Sequence, residues 1–274
     1  MKNIIFDIET IPDYQGIKKI IDYNNQSSAI EDLSGSELIY KYWQNRHPEI
    51  TKEQAQAKFL PIHLHQVVTI GLIIVDFIDN SFNLLTISNE NESQIIKHFF
   101  NGIEKYKTPA PPQLVTWNGA GFDLPVLHYR SLIHKVSCQI YWEVGDQIRD
   151  FRYNNYLNRF HLRHLDLMDM LANYNFNNFI RLDEISKLCS FPGKQGIGGA
   201  NVAEEFQKGN LEEICNYCEA DVINTYLLYL RFLLISARHD AYQTQSYIQQ
   251  LKQWIVDNRS GEFWTKVNDK ILIN

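Results

Sequence analysis

Two periods of apolar and polar residues alternate along this chain. Residues 3–8 (Asn-Ile-Ile-Phe-Asp-Ile) form a short, nearly continuous apolar run, which predicts a buried strand. Residues 66–78 are rich in β-branched side chains and predict a central strand. Asp79-Asn80 supplies a turn, and Ser81–Ile87 predicts the returning arm of a hairpin. Over 92–106 the period lengthens to that of a helix, with Ile95, Ile96, Phe99, Phe100 and Ile103 on one face. Pro109, Pro111 and Pro112 mark a loop, and Gln113–Trp117 predicts another strand. Pro125 suits the first turn of a helix over about 124–135. Further helices are expected over 166–173, 182–190 and 211–236, with an amphipathic one over 239–257. The polar stretch 14–60 reads as helical or irregular. The order strand, hairpin, helix, strand, helix predicts an α/β fold, a mixed sheet with helices packed on it. Residues 1–236 would form the main domain, with the partly helical insertion at about 14–60. Residues 237–274 would add a C-terminal helical extension packed on the same domain.

Composition narrows this picture. A chain of 274 residues can bury a sizeable core, and 45% hydrophobic residues is ordinary for a globular protein. The net charge of −6 lacks the basic excess typical of phosphate-binding surfaces. Divalent cations held on carboxylates would supply part of that positive charge. Cys138, Cys189, Cys215 and Cys218 are irregularly spaced and suggest no disulfide framework. The N-terminus lacks a signal-peptide core, and the apolar run 226–235 is short and interrupted by Arg231. The expectation is a soluble, intracellular (cytoplasmic) protein without a membrane segment.

Three short motifs carry candidate chemistry. In Asp7-Ile8-Glu9-Thr10, side chains two apart on a strand point to one face, so Asp7 and Glu9 can converge while Ile8 enters the core. Two adjacent carboxylates repel unless protonated or bridged by a cation. Asn118-Gly119-Ala120-Gly121-Phe122-Asp123 follows a strand and opens a helix. Asp123 is therefore either a helix cap or a ligand over the sheet edge, and Asn118 and Phe122 are candidates to meet a sugar or base. In Tyr217-Cys218-Glu219-Ala220-Asp221, residues i and i+4 of a helix present the Tyr217 hydroxyl and the Asp221 carboxylate together. Hard divalent cations prefer such oxygen ligands.

The ordered set Asp-x-Glu-Thr, Asn-x-x-x-Phe-Asp, Tyr-x-x-x-Asp resembles the DEDD superfamily of 3′→5′ exonucleases, in its DEDDy branch. The resemblance runs from residue 3 to about residue 235. It is closest in character to the exonuclease domain of family-B DNA polymerases, in the group of stand-alone proteins lacking a polymerase. Phe191-Pro192-Gly193-Lys194 and Tyr217–Phe232 look particularly like that group. The resemblance implies a ribonuclease-H-like fold, a mixed five-stranded sheet flanked by helices. It also implies a two-metal site using Mg²⁺ or Mn²⁺, with Asp7 bridging both ions. Glu9 and Asp221 would help hold the first ion, and Asp123 would lie nearer the second. Tyr217 would orient the attacking water, Thr10 would lie beside the terminal nucleotide, and nucleoside 5′-monophosphates would be released. The carboxylates are expected at the surface.

Other features suggest the substrate path. Arg149, Arg152, Arg159 and Arg163 stand against one acid, Asp150, and interleave with Phe151, Tyr153, Tyr156 and Phe160. Charge for phosphate and rings for stacking suit a single strand, so Arg152 and Arg159 are candidate substrate contacts. Lys194, in a glycine-rich loop, is another. His161 and His164 read as surface histidines, and Asp166 and Asp169 as helix caps. Cys215-Asn216-Tyr217-Cys218 lacks a second pair for zinc and reads as packing around Tyr217. The expected partner is nucleic acid, single-stranded DNA foremost. RNA fits the same chemistry, because nothing in the motifs senses a 2′-hydroxyl. The competing reading is a non-catalytic nucleic-acid-binding module on the same scaffold. No polymerase or repair partner is named by the sequence.

Overall fold

Five strands form one mixed sheet. In the computed structural model, which describes residues 2–25, 32–88, 91–108, 110–196 and 198–272, they are β1 (Asn3–Pro12), β2 (His65–Asp76), β3 (Ser81–Ile87), β4 (Gln113–Thr116) and β5 (His164–Asp166). Their order is β3-β2-β1-β4-β5. β1 pairs antiparallel with β2 and parallel with β4, and β4 pairs parallel with β5. This is the mixed five-stranded α/β arrangement expected of a ribonuclease-H-like fold. Pro109 and Ile197 lie outside the described residues, as do residues 26–31 of the 14–60 stretch.

β1 is central and buried on both faces, which explains its nearly continuous apolar run. Ile4, Phe6 and Ile8 point to a core built with α4 (Glu92–Lys105) and α5 (Asp123–His134). Ile5 points the other way, to a core dominated by the long α10 (Leu211–Ile235) and covered by α11 (Ala241–Asn258) and α12 (Glu262–Asp269). Strand alternation therefore sends Asp7 and Glu9, on the Ile5 side, towards α10. That helix is apolar around most of its circumference because it is sandwiched between sheet and α11. It approaches the sheet closely at Gly71, where an added Cβ would lie 3.1 Å from both Cys218 Sγ and Val222 Cγ2.

The stretch between β1 and β2 contains α1 (Tyr14–Asn25), α2 (Gly35–Gln44) and α3 (Lys52–Ala57), packed around a small core of Ile17, Leu38, Tyr42, Trp43 and Leu64. Ser34 and Thr51 each cap a helix reciprocally with Glu37 and Gln54. Buried Arg130 of α5 joins this unit to the main core. It donates to Asp13 at the start of α1 and to Glu92 at the start of α4, while Glu92 also accepts the amide of Val67 on β2. The remaining helices are the short α6 (Gln139–Trp142), α7 (Leu167–Leu171), α8 (Leu182–Leu188) and α9 (Val202–Gln207).

β5 was not expected, its last residue, Asp166, being read as the start of a helix over 166–173; that helix is shorter, Leu167–Leu171. A three-residue strand carries too few positions to show a period. α9 and α12 are likewise absent from the sequence reading. No helix among the described residues is long and apolar enough to cross a membrane.

Candidate active site

β4 stops at Thr116, beside the first half of the parallel strand β1, which runs on to Pro12, and this leaves a crevice beyond the carboxyl end of β4, alongside Asp7 and Glu9. Crevices of this kind, at the carboxyl ends of parallel strands, are where open α/β sheets bind ligands. Asp7 lies opposite Gly71 of β2, and a bulge follows between Glu9 and Thr10. The bulge ends the regular alternation after Glu9 and turns Thr10 towards His65, with its Oγ1 3.0 Å from His65 Nδ1.

After β4 the chain turns through Asn118, whose φ of 66° is left-handed. A Cβ on Gly121 would meet Asn118 Oδ1 at 2.5 Å and push the Asn118 side chain from its place. Asp166, read from sequence as a cap, does cap α7 through the amides of Met168 and Asp169. It also accepts the amides of Asn118 and Ala120, at 3.0 and 2.9 Å, and so pins the turn from β5. The turn delivers Asp123 as the first residue of α5, with Phe122 in the cap position. The Asp123 carboxylate is aimed at β1, where Oδ1 accepts the amide of Ile8 at 3.2 Å. It is thus not the cap of its own helix.

Asp221 and Tyr217 face β1 from α10, one turn apart. The Tyr217 ring is seated among Ile11, Val68, Val202 and Ile214. Glu9, Asp123, Asp221 and Tyr217 are all buried, and Asp7 keeps partial exposure. The carboxylates expected at the surface therefore lie in a sunken cluster, because α10 and α9 pack on β1 and the first residue of α5 reaches it at Ile8.

Burial is the main reason that Asp7, Glu9 and Asp221 hold their protons more tightly than ordinary carboxyls. Repulsion from the neighbouring acids adds to it at Asp7 and Glu9, whereas Lys194 opposes it at Asp221. Asp123, buried beside Asp166, is pushed up to about 7. Asp221 Oδ1 is buried with no hydrogen-bond partner. An orphaned anionic oxygen among crowded carboxylates is what a cation site requires, so the residues present fit a hard divalent ion. Cys218 Sγ lies within 4.8 Å of carboxylate oxygens of Asp7 and Glu9. Burial raises this thiol well above its usual pKa, and it donates to the Asp7 carbonyl at 3.5 Å. A protonated thiol is a poor ligand for hard ions. Cys218 packs against the sheet at the Asp7 carbonyl and Gly71.

Lys194 comes to this cluster from the loop before α9. Its ammonium donates to the Tyr217 hydroxyl and lies 3.2 Å from Asp221 Oδ2. Partial burial opposes its charge, but Asp221, Asp7 and Glu9 outweigh that and raise its pKa. Burial, then Asp221, Glu9 and Asp7, push the Tyr217 phenol far above its ordinary value, so the hydroxyl remains protonated.

With that geometry in place, comparison with known families decides the relationship. Residues 57–271, well over half of the chain, match the model of predicted 3′-5′ exonucleases related to the exonuclease domain of PolB. The chain belongs to this family. The match takes in Asp123, Tyr217 and Asp221. It starts after Asp7 and Glu9, whose position rests on the geometry of β1. No curated protein matches the chain.

The remaining sequence candidates divide. Thr10, Asn118 and Phe122 line a cleft of about 670 Å³ together with Glu9. Arg159 lines a second cleft of about 500 Å³, which shares Asn118 and Gly121 with the first. Its guanidinium is held by Asp169 through bonds of 2.6 and 2.5 Å. Arg152 is exposed and donates to the Gly145 carbonyl, outside both clefts. Two expectations need correction. Phe151 and Tyr156 are core residues rather than stacking surfaces, and Arg163 is spent on the carbonyls of Asn154 and Pro111. His164 is buried against Thr116, and His161 accepts the Asn155 amide, so neither is a free surface histidine. Sequence reading missed Phe59 and His65, which join Phe122 in an aromatic group beside Glu9. A single hydrophobic residue between α3 and β2 gave no signal of exposure.

Proposed function

We propose that this protein is a two-metal-ion 3′→5′ exonuclease of the DEDDy type that removes nucleoside 5′-monophosphates from single-stranded DNA. The observation that carries this reading is the convergence of four acids from three distant segments: Asp7 feels the charges of Asp123, Glu9 and Asp221, and the buried Asp221 Oδ1 has no hydrogen-bond partner. Asp7, Glu9, Asp123 and Asp221 would hold Mg²⁺ or Mn²⁺. The bound ions would supply an acidified attacking water and charge compensation at the leaving 3′-oxygen.

The protein's own groups do the rest. Tyr217 stays a neutral phenol, so it acts by orienting the attacking water rather than by taking its proton. Lys194 holds that hydroxyl and adds positive charge beside the scissile phosphate. Thr10, Asn118 and Phe122 bind the terminal nucleotide in the cleft next to Glu9. Arg159 and its neighbouring aromatic residues suit the preceding nucleotides, because the two clefts meet at Asn118 and Gly121. Arg152 serves as a more distant phosphate contact.

The test is a matched pair of 5′-labelled DNA and RNA oligonucleotides incubated with Mn²⁺. The reading predicts a ladder of products shortened from the 3′ end, stronger for DNA. No shortening of either strand would remove the enzyme reading and leave the non-catalytic binding module in its place.

A further inference from the structure

The insertion between β1 and β2 returns to the sheet beside the catalytic cleft. Its last residues place Phe59 at the mouth of the cleft that contains Glu9 and Thr10. Phe59 belongs to none of the hydrophobic cores and is 66% exposed. One face of its ring rests on His65, with centroids 4.7 Å apart and planes 29° from parallel. Phe122, which precedes Asp123, stands 5.8 Å away at an angle of 59°.

His65 is a fixed support. Its Nε2 lies 3.1 Å from the Leu60 carbonyl, which can only accept, so Nε2 carries the proton. Nδ1 of the neutral ring then accepts the Thr10 hydroxyl. Burial lowers the pKa of His65 and favours this neutral form. The shelf is thereby tied to the residue after Glu9. Lys58 and Gln56, also at the cleft, are engaged within the insertion. The Lys58 ammonium sits 4.2 Å from the Trp43 ring centroid and 3.0 Å from His47 Nε2, and Gln56 donates to the Ser36 carbonyl. The wall therefore offers a flat apolar face and few free polar groups. A cleft of about 670 Å³ is of a size to take one nucleotide.

We propose that the 14–60 insertion is a base-stacking wall, in which Phe59, braced by His65, stacks on the base of the 3′-terminal nucleotide. This rests on the exonuclease reading and deepens it. A base must leave its pairing partner to lie on Phe59, so the wall selects an unpaired 3′ end. It reads the face of the base and not its edges, so it is tolerant of sequence.

The test combines two probes with Phe59→Ala and Phe59→Trp. One probe is a single-stranded DNA oligonucleotide with either a normal or an abasic 3′-terminal residue, scored by kcat/KM. The other carries 2-aminopurine at the 3′ end and is bound to protein in an Asp7→Ala background, scored by fluorescence quenching. Wild type should prefer the normal over the abasic end by about 10- to 100-fold. Phe59→Ala should abolish that preference and the quenching, and Phe59→Trp should retain both. If Phe59→Ala shortens DNA with the full wild-type preference and quenches equally, the wall is wrong while the nuclease reading stands. If wild type cleaves nothing yet shows Phe59-dependent quenching, the nuclease reading fails and the stacking wall survives.

Discussion

Asp7, Glu9, Asp123 and Asp221 sit where their ionised forms are disfavoured, and this makes the metal-free protein sensitive to pH. Asp123 illustrates the sign. Burial raises its folded pKa from 3.8 to about 7, so folding favours the protonated acid. That contribution is fully present below about pH 4 and is lost as pH rises through about 7. Asp7, Glu9 and Asp221 shift in the same direction. In EDTA, the melting temperature should therefore fall across this window relative to an Asp123→Asn variant. Saturating Mn²⁺, which binds the ionised acids, should reverse the fall. A second prediction concerns Tyr217, whose hydroxyl accepts from Lys194 and stays protonated, and which on the proposed mechanism orients water rather than acting as a base. Tyr217→Phe should slow turnover by about 100-fold in single-turnover assays without ending it. Equal rates would remove Tyr217 from the mechanism. The residue identities at these positions were legible because each motif places its acids by a local period. Lys194 was visible only as a charge in a glycine-rich loop. Its contact with Tyr217 and Asp221 depends on how that loop folds back over α10, which no local spacing encodes.

The elements position these groups through a few close approaches. α10 lies against β2 at Gly71, where the absent side chain leaves room for Cys218 and Val222. Gly71→Ala should cost about 1–3 kcal/mol in denaturant unfolding, because one methyl group overpacks a tight contact. It should also depress turnover, since the helix that shifts carries Asp221 and Tyr217. Unchanged stability would show that α10 is not seated by this contact. The long strands and helices were readable because their periods run for many residues; β3 was expected over the same residues that form it, Ser81–Ile87. β5 has three residues and gave no period. The alternation of arginine and aromatic residues over 149–163 suggested an exposed binding strip. Composition alone cannot reveal that Phe151 and Tyr156 enter the core while Arg163 is engaged by backbone carbonyls.

At the scale of the whole molecule, the sheet brings together acids more than two hundred residues apart, and buried Arg130 holds the insertion against the sheet. Arg130→Leu would leave Asp13 and Glu92 short of their shared cation and should destabilise the protein by about 3–5 kcal/mol. An equal unfolding midpoint would show that the insertion is held by its apolar contacts alone. The mixed α/β class followed from the order of elements, but the meeting of the insertion with the cleft beside Glu9 did not. It is set by where the chain re-enters β2, beside the bulge after Glu9. The most direct measurement of the central claim follows a 5′-labelled single-stranded DNA with Mn²⁺, using wild type and Asp7→Ala in parallel, each checked for a cooperative melt. Wild type should yield a descending ladder and nucleoside 5′-monophosphates, while the folded Asp7→Ala protein should yield neither. Cleavage by Asp7→Ala at the wild-type rate would contradict the assignment of the four-carboxylate site.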